Sequence, residues 1–109
     1  MTEVFVKKEN DRVISVDSTG HAGFAKRGKD IVCSAISVLM INTVNSIKCF
    51  TEDEIEVESD QKSGKLSILL PKEYSEKTDL LLKALFLGLS GIEEEYPENF
   101  RLYTEEVLK

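Results

Sequence analysis

The stretch KDIVCSAISVLMINTVNSI, Lys29–Ile47, decides how the rest of the chain is arranged. Ile31, Val32, Ala35, Ile36, Val38, Leu39, Met40, Ile41 and Val44 occupy most of the circumference of a helix with 3.6 residues per turn. A helix apolar nearly all round is a buried helix. Asp30 stands where a side-chain oxygen can cap the first amides. Such a helix needs a sheet on one side and a second helix or a second subunit on the other.

The flanking sequence supplies those covers. Upstream, Glu3 to Lys7 alternates Val4 and Val6 with Phe5, Glu9-Asn10-Asp11 signals a turn, and Arg12 to Ser18 is rich in β-branched residues. This predicts a hairpin. Downstream, Phe50 to Glu58 reads as a strand, Asp60 to Gly64 as a turn and Leu66 to Leu70 as a strand stopped by Pro71. Glu73 to Tyr96 reads as a second helix ended by Pro97. Gly88 and Gly91 inside it, each costing about 1 kcal/mol against alanine, suggest close packing against the sheet or the first helix. Phe100 to Thr104 can add a short last strand. The order ββαββα(β) predicts the α+β class: one small domain over residues 1–109, with two helices on an antiparallel or mixed sheet.

A chain of 109 residues can bury a core without staples, and 41% hydrophobic with 31% charged residues excludes wholesale disorder. The net charge of −6 repels phosphate backbones, so no direct nucleic-acid binding is expected, while a basic partner is attracted. No secretion signal is visible near the start, and the apolar run Ile31 to Val44 is broken by Cys33, Ser34, Ser37, Asn42 and Thr43, so no membrane association is expected. A cytoplasmic location follows, with Cys33 and Cys49 as reduced thiols. A helix between them holds them roughly 24 Å apart, beyond the ~7 Å a disulfide needs. Cys49, without a nearby base, reads as core. Two cysteines and one histidine do not make a zinc site, and no phosphate-binding loop is present, so no metal or cofactor is expected. The run Glu93-Glu94-Glu95 reads as a solvated helix face.

One segment carries chemistry. Gly20-His21-Ala22-Gly23 places the sole histidine on a glycine-rich loop that runs to Gly28, and Cys33 follows Asp30 by three residues. Thiolate is the nucleophilic form of cysteine, and unpaired amides in the first turn of a helix favour it. Imidazole suits proton transfer to a leaving amine, and a Cys–His pair within hydrogen-bond reach is the minimum for thiol acyl transfer. The first-turn amides around Cys33 are candidates for an oxyanion hole. Asp30, Cys33 and Ser37 are spaced by three and four and share one helix face, so Asp30 can orient His21 and Ser37 can bond near the thiol. The same residues also fit a capping aspartate, a buried free cysteine and a packed helix serine.

The segment Gly20-His21-Ala22-Gly23, followed by Gly28-Lys29-Asp30-Ile31-Val32-Cys33-Ser34-Ala35-Ile36-Ser37, resembles the ribosomal-processing cysteine proteases of the Prp family. Their motifs read Gly-His-Ala-Gly and Gly-x-Asp-Ile-Val-Cys-x-Ala-x-Ser with this spacing, and the late Glu93 to Pro97 stretch agrees more loosely. The resemblance implies that His21 and Cys33 are the catalytic dyad, with Asp30 and Ser37 at supporting motif positions. It implies a mobile substrate loop containing Gly20, Ala22, Gly23 and Gly28. It further implies an endopeptidase that removes the N-terminal extension of the precursor of large-subunit ribosomal protein twenty-seven, a basic partner, and a homodimer. The alternative is a ribosome-associated binding module without catalysis. A redox sensor would need a resolving thiol, and Cys49 is out of reach.

Overall fold

The computed structural model describes residues 1–20, 27–60 and 62–107, of which 27–30 by backbone alone. Strand β1, Thr2–Glu9, and strand β2, Arg12–Thr19, form the predicted hairpin. Asn10 and Asp11 both take positive φ, 53° and 64°, as a two-residue turn matching the strand twist requires. These two residue types tolerate that region because their short polar side chains bond locally. The pairing shifts between Lys7, opposite Ser15, and Lys8, opposite Val13, leaving Ile14 as the extra residue of a bulge. That bulge turns Val13 and Val16, three apart, onto one buried face.

Helix α1 spans Arg27–Phe50, strand β3 Glu56–Asp60, strand β4 Lys65–Leu69, helix α2 Glu76–Glu95 and strand β5 Phe100–Glu106. The sheet order is β3-β4-β2-β1-β5. The pairs β1–β2, β2–β4 and β3–β4 are antiparallel, and β5 joins β1 in parallel, so the sheet is mixed. Both helices are crossovers between strands running the same way, β2 to β3 and β4 to β5. Val4, Val6, Val16, Ile68 and Phe100 of the sheet share one core with Val32, Ile36, Met40 and Val44 of α1 and Leu82, Leu85 and Leu89 of α2.

Several boundaries differ from expectation. The first helix starts three residues before Asp30, so Asp30 lies inside the first turn and is not the cap. Gly28, expected in the loop, is helical. The helix also runs past Ile47 to Phe50, with Lys48 favourably placed in the last turn. Cys49 is therefore an exposed helix residue and not part of the core. Strand β3 begins only at Glu56, because Thr51 to Asp53 are engaged otherwise. The Thr51 hydroxyl donates to the Ile47 carbonyl at 2.7 Å, and the Asp53 amide donates to the Thr51 hydroxyl at 3.1 Å.

The first helix is also less covered than its composition implies. Val38 is 65% exposed, and Ile31 and Ile41 lie outward with it. Ile31–Phe50 is long and apolar enough to cross a membrane, which the interrupted apolar run did not lead us to expect. Here its Val32, Ile36, Met40 stripe packs into the shared core. Of the two helix glycines, Gly88 is a close approach: a Cβ there would sit 3.1 Å from Cδ1 of Leu39 on α1. Gly91 has nothing within 4 Å of such a Cβ, so close packing does not explain it. Nor is Glu93 merely solvated, since its carboxylate accepts the Leu102 amide of β5 at 2.6 Å.

The helix ends are tied by one carboxylate. Ser75 caps α2, and Asp53 accepts the Ser75 amide at 3.0 Å, the Ser75 hydroxyl at 2.6 Å and the Thr78 hydroxyl. The Ser75 hydroxyl, then that of Thr78, holds the Asp53 carboxyl below its ordinary value of 3.8. A group held low in the folded state stabilises the fold above its unfolded value and ceases to do so as pH falls through the folded one. Urea unfolding of Asp53→Asn will therefore show a loss of about 1 kcal/mol at pH 7 that shrinks below the ordinary carboxylate value. The same measurement on Gly91→Ala will show a gain of roughly 0.5–1 kcal/mol.

Candidate active site

The end of the sheet where β1 begins, β2 ends and β4 begins faces the second turn of α1. Packing of Val32 and Ile36 into the core turns the neighbouring Cys33 toward that end, half-buried. Its Sγ lies 2.8 Å from Oγ1 of Thr2, the first residue of β1. Beside the pair is Gly20, just past β2, where an added Cβ would lie 3.7 Å from Sγ and from Thr2 Cγ2. A hollow of about 90 Å³ opens here, lined by Thr2, Ser18, Thr19, Gly20, Cys33, Ile36, Ser37 and Gly64. Gly64 reaches it from the β3–β4 turn, with φ of 68°. Among the described residues, its polar lining side chains besides Cys33 are hydroxyls.

Of the predicted residues, the structure brings Gly20, Cys33 and Ser37 to this hollow. Ser37 is exposed at its rim, and among the described residues the hydrogen bond to the sulfur comes from Thr2 and not from Ser37. Asp30 lies one turn before Cys33 on α1, in the backbone trace only. His21, Ala22 and Gly23 lie outside the described residues. Counted from Arg27, Cys33 is the seventh residue of the helix, not one of its first turn. Its amide is past the four free ones and is spent on the helix itself, so it is no oxyanion donor, and the terminal dipole has fallen off by this depth.

Thr2 escaped the sequence reading, although a signal existed. It precedes Val4 and Val6 at the same two-residue period, so it faces inward with them and is only 5% exposed. An inward hydroxyl needs a partner, and the sulfur provides it. Larger hollows lie elsewhere. One of about 740 Å³ between the end of α1 and the start of α2 has Cys49 and Asp53 on its wall. Size does not make it a site: Asp53 is engaged by Ser75 and Thr78, and among the described lining residues no histidine accompanies the Cys49 thiol. Among the described residues no group of three or more His, Cys, Asp or Glu side chains is placed to hold a metal ion.

Comparison with known proteins assigns the chemistry. A ribosomal processing cysteine protease Prp of Staphylococcus aureus is 32% identical over 94 residues, covering 86% of this chain and 89% of its own. The crystal structure of the essential ribosomal processing protease Prp from S. aureus in complex with a substrate peptide superposes with a TM-score of 0.90. It is 29% identical and covers 96% of this chain and 100% of its own. The same S. aureus protease with a covalently linked product peptide gives a TM-score of 0.86 at 30% identity, with the same coverage. The sequence profile described as cysteine protease Prp matches residues 1–101, and the chain belongs to that family of cysteine proteases of ribosomal protein processing.

Proposed function

We propose that this chain acts in the cytoplasm as a single protease domain that removes the N-terminal extension of the precursor of large-subunit ribosomal protein twenty-seven. Cys33 is the nucleophile and His21 the general base and acid. The observation that carries this reading is the position of Gly20. A Cβ added there would be 3.7 Å from the Cys33 sulfur, so the chain passes close by it, and His21 is the next residue. One Cα step of about 3.8 Å brings an imidazole-bearing residue from that backbone, a distance a histidine side chain can span back. The S. aureus protein solved with a substrate peptide and with a covalently linked product peptide supports a covalent route on this fold.

The reaction runs in two halves. His21 takes the Cys33 thiol proton, and the thiolate adds to the scissile carbonyl. The C–N bond then breaks, and the leaving amine takes that proton from the imidazolium. Water next gives a proton to His21 and its oxygen to the thioester. The S–C bond breaks, freeing the extension with a carboxyl terminus. Asp30, in the turn before Cys33, is the candidate to orient the imidazole. Ser37, at the rim of the hollow, is a candidate contact for the peptide.

The surface charge fits a basic ribosomal protein as substrate, since a net −6 steers it inward. Ile31 and Val38 of α1, with Leu80 and Leu87 of α2, remain exposed on a single chain, Leu87 by 77%. We assign that apolar surface to a second copy of the chain. No observation favours the non-catalytic module.

Incubating the precursor with Cys33→Ala and reading intact mass will show no cleavage, with the fold retained by circular dichroism. Turnover by that variant ends the proposal. Cleavage by the wild type will slow severalfold as salt rises from about 0.05 M to 0.5 M, and a rate indifferent to salt removes the steering argument. Light scattering will report a dimer that Val38→Glu together with Leu87→Glu dissociates.

A further inference from the structure

We propose that Thr2 is a positioning residue for the nucleophile, its hydroxyl aiming the Cys33 sulfur and strengthening its hold as the thiolate forms. This rests on the reading of Cys33 given above. The two side chains are 31 residues apart in sequence and meet at 2.8 Å, with either atom able to donate. Thr2 is a rigid support. Its amide donates to the Asn99 carbonyl at 3.0 Å, it pairs with Phe100 of β5, and its side chain is almost wholly buried. A cysteine on a helix chooses among staggered rotamers of similar energy. One hydrogen bond to a fixed partner is enough to select the rotamer that faces the hollow and Gly20.

A hydroxyl is both donor and acceptor. In the resting thiol, S–H can donate to Oγ1. When the thiol proton passes to His21, the Thr2 hydroxyl rotates and donates to S⁻, while its own proton stays on oxygen. That charge-assisted bond is about twice as strong as the neutral one. Once sulfur is acylated it is a weak acceptor, and the bond relaxes. The interaction thus favours the state that attacks. No charged group is among the described residues lining the hollow. The titratable neighbours along the chain are His21 after Gly20 and Asp30 one turn before Cys33.

The test uses the full chain carrying Cys49→Ser, which leaves residue 33 as the only thiol. Thr2→Val keeps shape and strand propensity and removes the hydroxyl. Thr2→Ala removes it in a second way, and Thr2→Ser keeps it. Cleavage of the precursor gives kcat and KM, and iodoacetamide alkylation across pH reports the thiolate. We expect Thr2→Val and Thr2→Ala to lose about tenfold in kcat with KM unchanged, and the pH of half-maximal alkylation to rise by about one unit. Thr2→Ser should restore both. Wild-type kcat and pH profile in Thr2→Val overturns the proposal, as does a serine variant that restores neither. A fall in the alkylation midpoint also overturns it, because the hydroxyl would then be holding the thiol and not the thiolate. If Cys33→Ala still cleaves, the nucleophile assignment itself is what fails. An inert Cys33→Ala beside a fully active Thr2→Val fails the Thr2 assignment alone.

Discussion

Everything at the candidate active site depends on the rotation of α1 about its own axis. Val32, Ile36, Met40, Val44 and Ile47 form one stripe, all nearly or fully buried. Each such side chain contributes roughly 1.5–3 kcal/mol on burial, so the stripe outweighs the ~1 kcal/mol of any single hydrogen bond at the site. Packing therefore decides where Cys33 points, and the hydrogen bond from β1 only selects among the rotamers that packing leaves. Rotating the helix by one residue would carry Cys33 into the core or out to solvent, and would place an exposed serine, Ser34, over the hollow.

The sheet contributes the second half of the constraint. With β5 parallel to β1 and β2 antiparallel to it, Thr2 pairs with Phe100 of β5 at one sheet end, beside Glu3, which pairs with Thr19 of β2. The strand that leaves that end leads directly into Gly20, and the helix that returns passes its second turn over the same point. Nucleophile, its hydroxyl neighbour and the start of the histidine segment thus come from three separate elements whose ends converge.

Element types were legible because periodicity reports burial: Val4 and Val6 alternate, and Leu81, Leu85, Leu89 and Ile92 recur at helical spacing, although Leu80 and Leu87 of the same apolar set lie exposed and Leu82, outside it, is buried. Boundaries were less so, because they depend on side chains bonding backbone in three dimensions. Thr51 and Asp53 sit in a stretch whose alternation reads as strand, yet they cap one helix and brace another. The full circumference of apolar residues on α1 was legible, but not the fraction left uncovered by the single chain. Cys33 stood out through its neighbours in sequence. Thr2 did not, because its contact spans 31 residues and only the inward alternation of β1 hints at it.

The depth of Cys33 in the helix changes what can activate it. In a first turn, free amides and the dipole would favour a thiolate without help from outside the helix. At the seventh position those amides are already bonded, and the favourable charge is confined to the terminal turn. The described walls of the hollow offer hydroxyls and no cation. Hydroxyls can stabilise a thiolate once formed, but they cannot take its proton near neutral pH. On the proposed reading, then, the imidazole is required for ionisation and not merely for proton delivery to the leaving amine.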